Sequence, residues 1–361
     1  MKACHFLPEE CAMKERSPSY YAAFHCLAGA CPHTCCAAGW EIPLDRETAL
    51  RYESLPGTLG ERLRGALRRD AAGEACLDLH GAVCPFLDRE GLCELQRQWG
   101  QAGIGEICRS HPRYCYEFGP WREVGLCGSC PEAARLILAS PPRWVKREVP
   151  EEAETAPRLL KPLLAARETA LNILTFRDIP LRQRMQGMLL FTNEVQVLLD
   201  EEQTEVLPRL QEIYETTLPL VEPAALPDPT ESLCLCLDTL EGLQRLWPRW
   251  GELLERGRET LKKGRFALPE EAGERVCVYF LSRHWLRGVW DGDLLSWAQF
   301  AVLGTAVSAL LAPLEEEGFC EVFRLFCEEL EHSEENMAAI QNAFWKDLSL
   351  ARLLAVAGGA L

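Results

Sequence analysis

A chain of 361 residues is long enough for two domains or one large one, with a substantial core in either case. Its 48% hydrophobic and 25% charged residues are an ordinary globular balance, and a net charge of −16 excludes the basic surface that nonspecific nucleic-acid binding requires. The same charge opposes adsorption to anionic membranes.

Residues 1–19 read as an irregular leader with free thiols at Cys4 and Cys11. Met1 to Glu10 contain no apolar run of the signal-peptide kind, so a cytoplasmic, thiol-reducing setting is expected. Residues 20–140 form a cysteine-rich region: 13 of the 18 cysteines lie in the first 130 residues, a density that in a reducing compartment points to metal or redox chemistry. Asp45 is placed to cap a short helix through Glu47, Leu50 and Tyr52, and Thr58 to cap another ending near Gly73. Glycine and proline recur from Gly81 to Gly128 and predict loops held by ligands. Cys130 precedes Pro131 and Glu132, a helix start at which the dipole favours a thiolate.

Residues 141–158, rich in proline and charge, read as a linker. Helical periodicity then dominates residues 159–361. One helix takes Leu159, Leu163, Ala170 and Leu174. A second starts at Pro180, and others fit 231–263, 272–290, 293–312, 316–331 and 334–356. Leu294 to Ala312 is nearly long enough to cross a bilayer. It lacks flanking Lys or Arg and is bounded by Asp291, Asp293 and Pro313, so a central buried helix is expected and no membrane insertion. No period-2 strand pattern stands out. The expected fold is mainly α, with a cysteine-rich metal-binding N-terminal region packed against a C-terminal helical bundle.

Eight thiols carry the chemistry: Cys26, Cys31, Cys35, Cys36, Cys84, Cys93, Cys108 and Cys130. Structural zinc usually draws four ligands from two C-x2-4-C knuckles. Here C-x4-C-x3-C-C is followed by widely spaced single thiols, and vicinal Cys35 and Cys36 are awkward for one small ion. A [4Fe–4S] cluster tolerates such spacing, and zinc remains the alternative. Cys31, Cys35 or Cys36, Cys108 and Cys130 are the expected nearest ligands, with His25, His33 and His111 outside the ligand set. Arg109 and Arg113 either neutralise a negative cluster or bind a carboxylate or phosphate, or else form surface ion pairs. Cys127-Gly128-Ser129-Cys130 matches a redox C-x-x-C in spacing but lacks a βαβ context. No P-loop, HExxH or GxSxG is present.

The run Tyr21-x2-Phe24-His25-Cys26, with Cys31-x3-Cys35-Cys36-x3-Trp40-x-Ile42-Pro43-Leu44-Asp45, resembles the N-terminal signature of flagellin lysine N-methylases. The likeness continues through Cys84-Pro85-Phe86-Leu87, Cys108-Arg109-x2-Pro112-Arg113 and Ser129-Cys130-Pro131-Glu132. In the second half it takes in Tyr279-Phe280-x2-Arg283, Asp291-Gly292-Asp293 and Glu331-His332-Ser333. The first half also resembles zinc- or iron-chelating domains. The resemblance implies transfer of methyl groups from S-adenosyl-L-methionine to lysines of flagellin, with a cysteine-bound iron–sulfur cluster. Asp291 and Asp293 match family positions and are candidates to serve an amine, helix capping being their simpler role. The competing reading is a non-catalytic zinc- or iron–sulfur-binding adaptor.

Overall fold

The computed structural model describes the chain except residues 1–11, 41, 70–72, 80–82, 140, 153, 220, 265–266, 317 and 360–361, so Cys4 and Cys11 lie outside it. Its N-terminal part carries β1 (Ala12–Pro18), β2 (Ile42–Pro43), α1 (Arg46–Ser54), α2 (Gly57–Ala66), β3 (Leu67–Arg69) and β4 (Ala75–Leu77). There follow α3 (Glu94–Trp99), α4 (Glu106–Ser110), β5 (Arg113–Phe118), β6 (Trp121–Leu126), α5 (Pro131–Ala139) and β7 (Trp144–Glu152). The remainder is helical: α6 (Leu160–Thr175), α7 (Leu181–Asp200), α8 (Leu207–Thr216), α9 (Pro229–Glu241), α10 (Pro248–Lys262) and α11 (Glu270–His284). After these come α12 (Gly288–Asp291), α13 (Leu294–Leu311), α14 (Gly318–Leu330), α15 (Glu334–Lys346) and α16 (Leu350–Gly358). The fold is mainly α, as the periodicity predicts.

Two segments depart from expectation. Residues 12–18, expected as part of the leader, and 144–152, expected as linker, are strands of a sheet ordered β5-β6-β1-β7. β1 runs parallel to β6 and antiparallel to β7. The alternation is hidden because charged side chains occupy buried positions. Arg16 is wholly buried, stacked 3.7 Å over Trp144 and paired with Glu168 at 3.0 Å. Glu15 is buried between Arg147 at 2.6 Å and Arg122 at 3.8 Å. The glycine-rich stretch from Gly81 to Gly128 likewise contains a hairpin, β5–β6, turning at Gly119 with φ +63°. Phe118, Tyr116, Trp121 and Trp144 pack this sheet onto the helical core.

A second small sheet, β2-β4-β3, joins α1 and α2 around Leu44, Tyr52, Leu63, Phe86 and Leu95. Asp45 caps α1 as expected: Oδ1 accepts from Thr48 N at 2.8 Å and Oδ2 from Glu106 N at 3.0 Å. One carboxylate thus fixes the starts of α1 and α4. Asp45→Ala is expected to lower stability by about 1–2 kcal/mol, read as a fall in denaturant midpoint without a change in slope. The second helix begins at Gly57 after Pro56, and it stops at Ala66, where β3 begins.

In the C-terminal half α13 is the axis. Every residue but Leu295 is buried, and 94% of its apolar window is covered by protein. Asp293 caps it through Ser296 N at 3.0 Å. Gly304 lets the Phe280 ring of α11 close on α13, since a Cβ there would stand 2.5 Å from that ring. The 231–263 segment divides at Pro248, which opens α10, and 334–356 divides into α15 and α16.

Candidate functional site

No disulfide joins any two of the 16 described cysteines. The eight expected ligands fall into two neighbourhoods. Cys36, Cys84, Cys93 and Cys108 form one. The amide of Cys84 donates to Cys36 O at 2.7 Å, and Leu87 bridges to Cys93. Burial and then Cys36 and Cys93 push Cys84 up to about 11. Cys108 is exposed as a residue, yet desolvation of its sulfur, followed by Cys36, Cys84 and Cys93, pushes it up to about 12. Cys36 is the exception: the Cys35 thiol donates to it and holds it down at about 7, while Cys35 is raised.

Cys26, Cys31 and Cys130 form the second neighbourhood. Burial raises Cys130 to about 11 despite the amides of Ala133 and Glu132, with Cys31 and Cys26 adding to the rise. The sulfur therefore sits at a helix start as expected, but desolvation outweighs the dipole. Cys35 stands between the sets, its thiol pushed up by Cys36 and Cys108 on one side and Cys26 on the other. The expected nearest ligands thus divide, Cys31 and Cys130 in one set and Cys108 in the other.

Eight soft thiols in two groups suit a thiolate-bound centre in type and number. Among the described residues no three Cys, His, Asp or Glu side chains are gathered closely enough to hold one ion as they stand, so ligation requires the sulfurs to draw together.

The other expected site residues have local duties. Arg109 pairs with Glu106 at 2.7 Å and donates to Ile104 O at 2.8 Å. Arg113 lies 4.9 Å over the ring of Phe24 and 5.8 Å over that of Tyr21. Asp291 accepts from Asp293 N at 3.0 Å and Trp297 Nε1 at 3.1 Å. His33 pairs with Glu321 at 3.6 Å, and the His111 ring lies tilted against Trp40, 5.4 Å between centroids.

A constellation that the sequence pattern leaves without a role sits where the two halves meet. Cys127, at the end of β6, lies 3.1 Å from Ser129 Oγ, 3.5 Å from Glu331 Oε2 and 3.6 Å from His332 Nε2. Ser129 Oγ is 2.8 Å from the same His332 nitrogen. Tyr279 accepts from Gly128 N at 2.9 Å and from Arg283 at 2.6 Å, and donates to Glu331 at 2.8 Å. Glu331, its side chain fully buried, also meets Arg283 at 3.1 Å and His284 at 2.7 Å.

Electrostatics follow from this packing. Burial alone would raise both acids, but Arg283 reverses it. Glu331 is held at about 2, by Arg283 and then His284, and Cys127 at about 7, by Arg283 and His332. His332 is raised: burial opposes its charge, and the Cys127 thiolate overcomes that. Its ring lies 4.4 Å from Trp40, which in turn lies beside His111. Trp40 packs on the same small core as Cys36 and Cys93, and so sets this junction beside those thiols. Signals for it existed in Tyr279-x3-Arg283 and Glu331-His332, but Gly128 lies 151 residues from Tyr279 and Cys127 lies 204 from Glu331 in sequence. Gly128 is needed for the closure, because a Cβ would stand 2.6 Å from both Cys327 Sγ and Phe323. Gly128→Ala is expected to cost about 1–3 kcal/mol in thermal or denaturant unfolding.

A family model described as the FliB lysine N-methylase C-terminal domain matches residues 167–356, just over half of the chain. That range holds Tyr279, Arg283, Glu331 and His332, and it excludes the eight thiols. The chain is 27% identical over 165 residues to a lysine-N-methylase of Salmonella typhimurium, covering 43% of this chain and 40% of the relative. The same identity and coverage hold for the lysine-N-methylase of Salmonella choleraesuis. The flagellar biosynthetic protein FliU of Salmonella muenchen is 28% identical over 130 residues, 34% of this chain and 76% of that protein. No solved structure matches. The likeness to the lysine-N-methylases thus spans well under two thirds of their length, while the C-terminal domain places this chain in the FliB lysine N-methylase family.

Proposed function

We propose that this chain is a protein-lysine N-methyltransferase that moves methyl groups from S-adenosyl-L-methionine to lysine side chains of flagellin, and that its thiols hold a [4Fe–4S] cluster. Membership of the FliB lysine N-methylase family carries the reading. Within the matched domain, Tyr279, Glu331 and His332 close on Cys127 to Ser129. The flagellar name of the FliU relative supports the choice of substrate.

Methyl transfer to lysine needs a neutral amine and a sulfonium held in line with it. At the junction Arg283 holds Glu331 ionised at about 2 and Cys127 down at about 7, and the Cys127 thiolate in turn raises its neighbour His332. These two are the groups suited to relay the proton that the ammonium gives up. Cys36, Cys84, Cys93 and Cys108 would hold the cluster, which when bound supplies an anchor tying three segments together beside Trp40 and His111. Flagellin from cells lacking this protein should carry unmodified lysines by peptide mass spectrometry, with methylation restored by the parent chain and not by Glu331→Gln. Methylated lysines persisting without the protein would refute the reading.

A further inference from the structure

Of the ten tryptophans only Trp290 and Trp345 are exposed, at 54% and 64%. Both are fixed by their neighbours. Trp290, on α12, stacks on Phe118 with ring centroids 4.4 Å apart, and Tyr116 meets it edge-on at 6.1 Å. Trp345, in the last turn of α15, donates from Nε1 to Asp293 at 3.3 Å. The two rings flank one turn, Asp291-Gly292-Asp293, which leads from α12 into α13. Gln196 of α7 brings a third acid to it, donating to Asp200 Oδ1 and to Gly292 O at 2.8 Å each.

Among the described residues the partners of these three carboxylates are neutral: the amides of Asp293 and Ser296, the indoles of Trp297 and Trp345, and the Gln196 side chain. Such bonds hold the turn and leave the charges unbalanced. Burial raises Asp291, and Asp293 adds to the rise. Arg287 tempers this from its place 4.4 Å over the Trp297 ring, without pairing with either acid, and Lys346 beside Trp345 is exposed and likewise unpaired. Elsewhere acids of this chain take arginine partners: Arg258 alone collects Asp238, Glu241 and Glu255. Two fixed indoles around unbalanced carboxylates suit a cation on an apolar stem, with the stem lying along the rings and the charge meeting the acids and the π-faces. An uncharged partner would leave the acids unpaired, and an acidic one would be repelled.

We propose that this face docks a lysine-bearing segment of the protein substrate; the inference rests on the methyltransferase reading and extends it to how the substrate is held. From Trp290 the contacts run inward. Tyr116 lies 5.3 Å from Tyr114, and Arg283, which pairs with Glu331, lies 4.6 Å over the Tyr114 ring. The face is therefore the outer end of an aromatic row whose inner end is the Cys127–Glu331 junction. Docking there holds the substrate beside the junction and takes no part in methyl transfer itself, so it acts on affinity and not on the chemical step.

Isothermal titration of the full chain with purified flagellin, and with flagellin whose lysines have been acetylated, tests this. Native flagellin should bind, and the acetylated form should bind at least about tenfold more weakly, having lost the cation. Trp345→Ala should weaken binding roughly tenfold and Asp200→Asn roughly threefold, with Trp345→Phe restoring most of the loss because it keeps a π-face. All three change exposed side chains and should melt as the parent does. In transfer assays Trp345→Ala should raise KM for flagellin and leave kcat within about twofold. Trp345→Ala binding as the parent does, acetylated flagellin binding as the native form does, or no binding of native flagellin would overturn the proposal. So would a dimer of the full chain in sedimentation that Trp345→Ala abolishes, which would give this face to a second copy. Binding of the expected kind without methyl transfer would sink the methyltransferase reading and leave the docking face standing. Transfer with a KM unmoved by Trp345→Ala would do the reverse.

Discussion

Glu331→Gln should lower the free energy of unfolding by about 3–5 kcal/mol, the cost of breaking a buried ion pair by removing one partner. Arg283 and Glu331 have side chains 6% and 0% exposed, so water cannot replace the lost carboxylate. Tyr279, Arg283 and His284 each lose part of their hydrogen bonding at once. An exposed pair gives the contrast: Arg209 and Glu212 meet at 3.0 Å in solvent, and Glu212→Gln should change stability by less than about 0.5 kcal/mol. The pH dependence has a fixed sign. Glu331 is held at about 2, below its unfolded value near 4.5, so its contribution is complete above about 4.5 and is lost as pH falls towards 2. The gap between parent and Glu331→Gln in urea melts should therefore narrow through that window. A gap that stays constant from pH 6 to pH 2.5 would mean that the carboxylate is not paired as described.

The second large effect concerns the thiols. Cys84→Ser should abolish bound iron and the visible absorption of purified protein, and with them methyl transfer. Cys84 belongs to the group in which Cys36, Cys84 and Cys93 all act on Cys108, with Phe86 and Leu95 packed around it. Cys26→Ser should retain iron, because Cys26 is exposed and belongs to the other group. Iron analysis on anaerobically prepared protein reads both variants. Retention of full iron by Cys84→Ser and its loss in Cys26→Ser would reverse the assignment.

Local chemistry was the legible part of the fold. Asp45 declares its helix cap by type and position, and α13 declares its burial by an apolar stretch lacking basic flanks. The strands β1 and β7 were illegible because their buried or paired positions are charged. Arg16 needs Trp144 and Glu168 to make sense of its burial, and none of the three is near another in sequence. The thiols were legible as ligands by residue type, but their grouping depends on the chain reversals that bring Cys84 to Cys36. The junction was hidden for the same reason. Cys127 looks like half of a C-x-x-C until His332 and Glu331 arrive from the far end of the chain. Asp291 and Asp293 attract attention by charge, and the fold spends them on the turn into α13.

The most direct measurement is methyl transfer in a purified system. Cluster-containing protein, flagellin and S-adenosyl-L-methionine bearing an isotopically labelled methyl group should yield flagellin peptides with the label on lysine side chains. Transfer should fail when Glu331→Gln or Cys84→Ser replaces the parent chain. Unlabelled flagellin after incubation with folded, iron-replete parent protein would contradict the account.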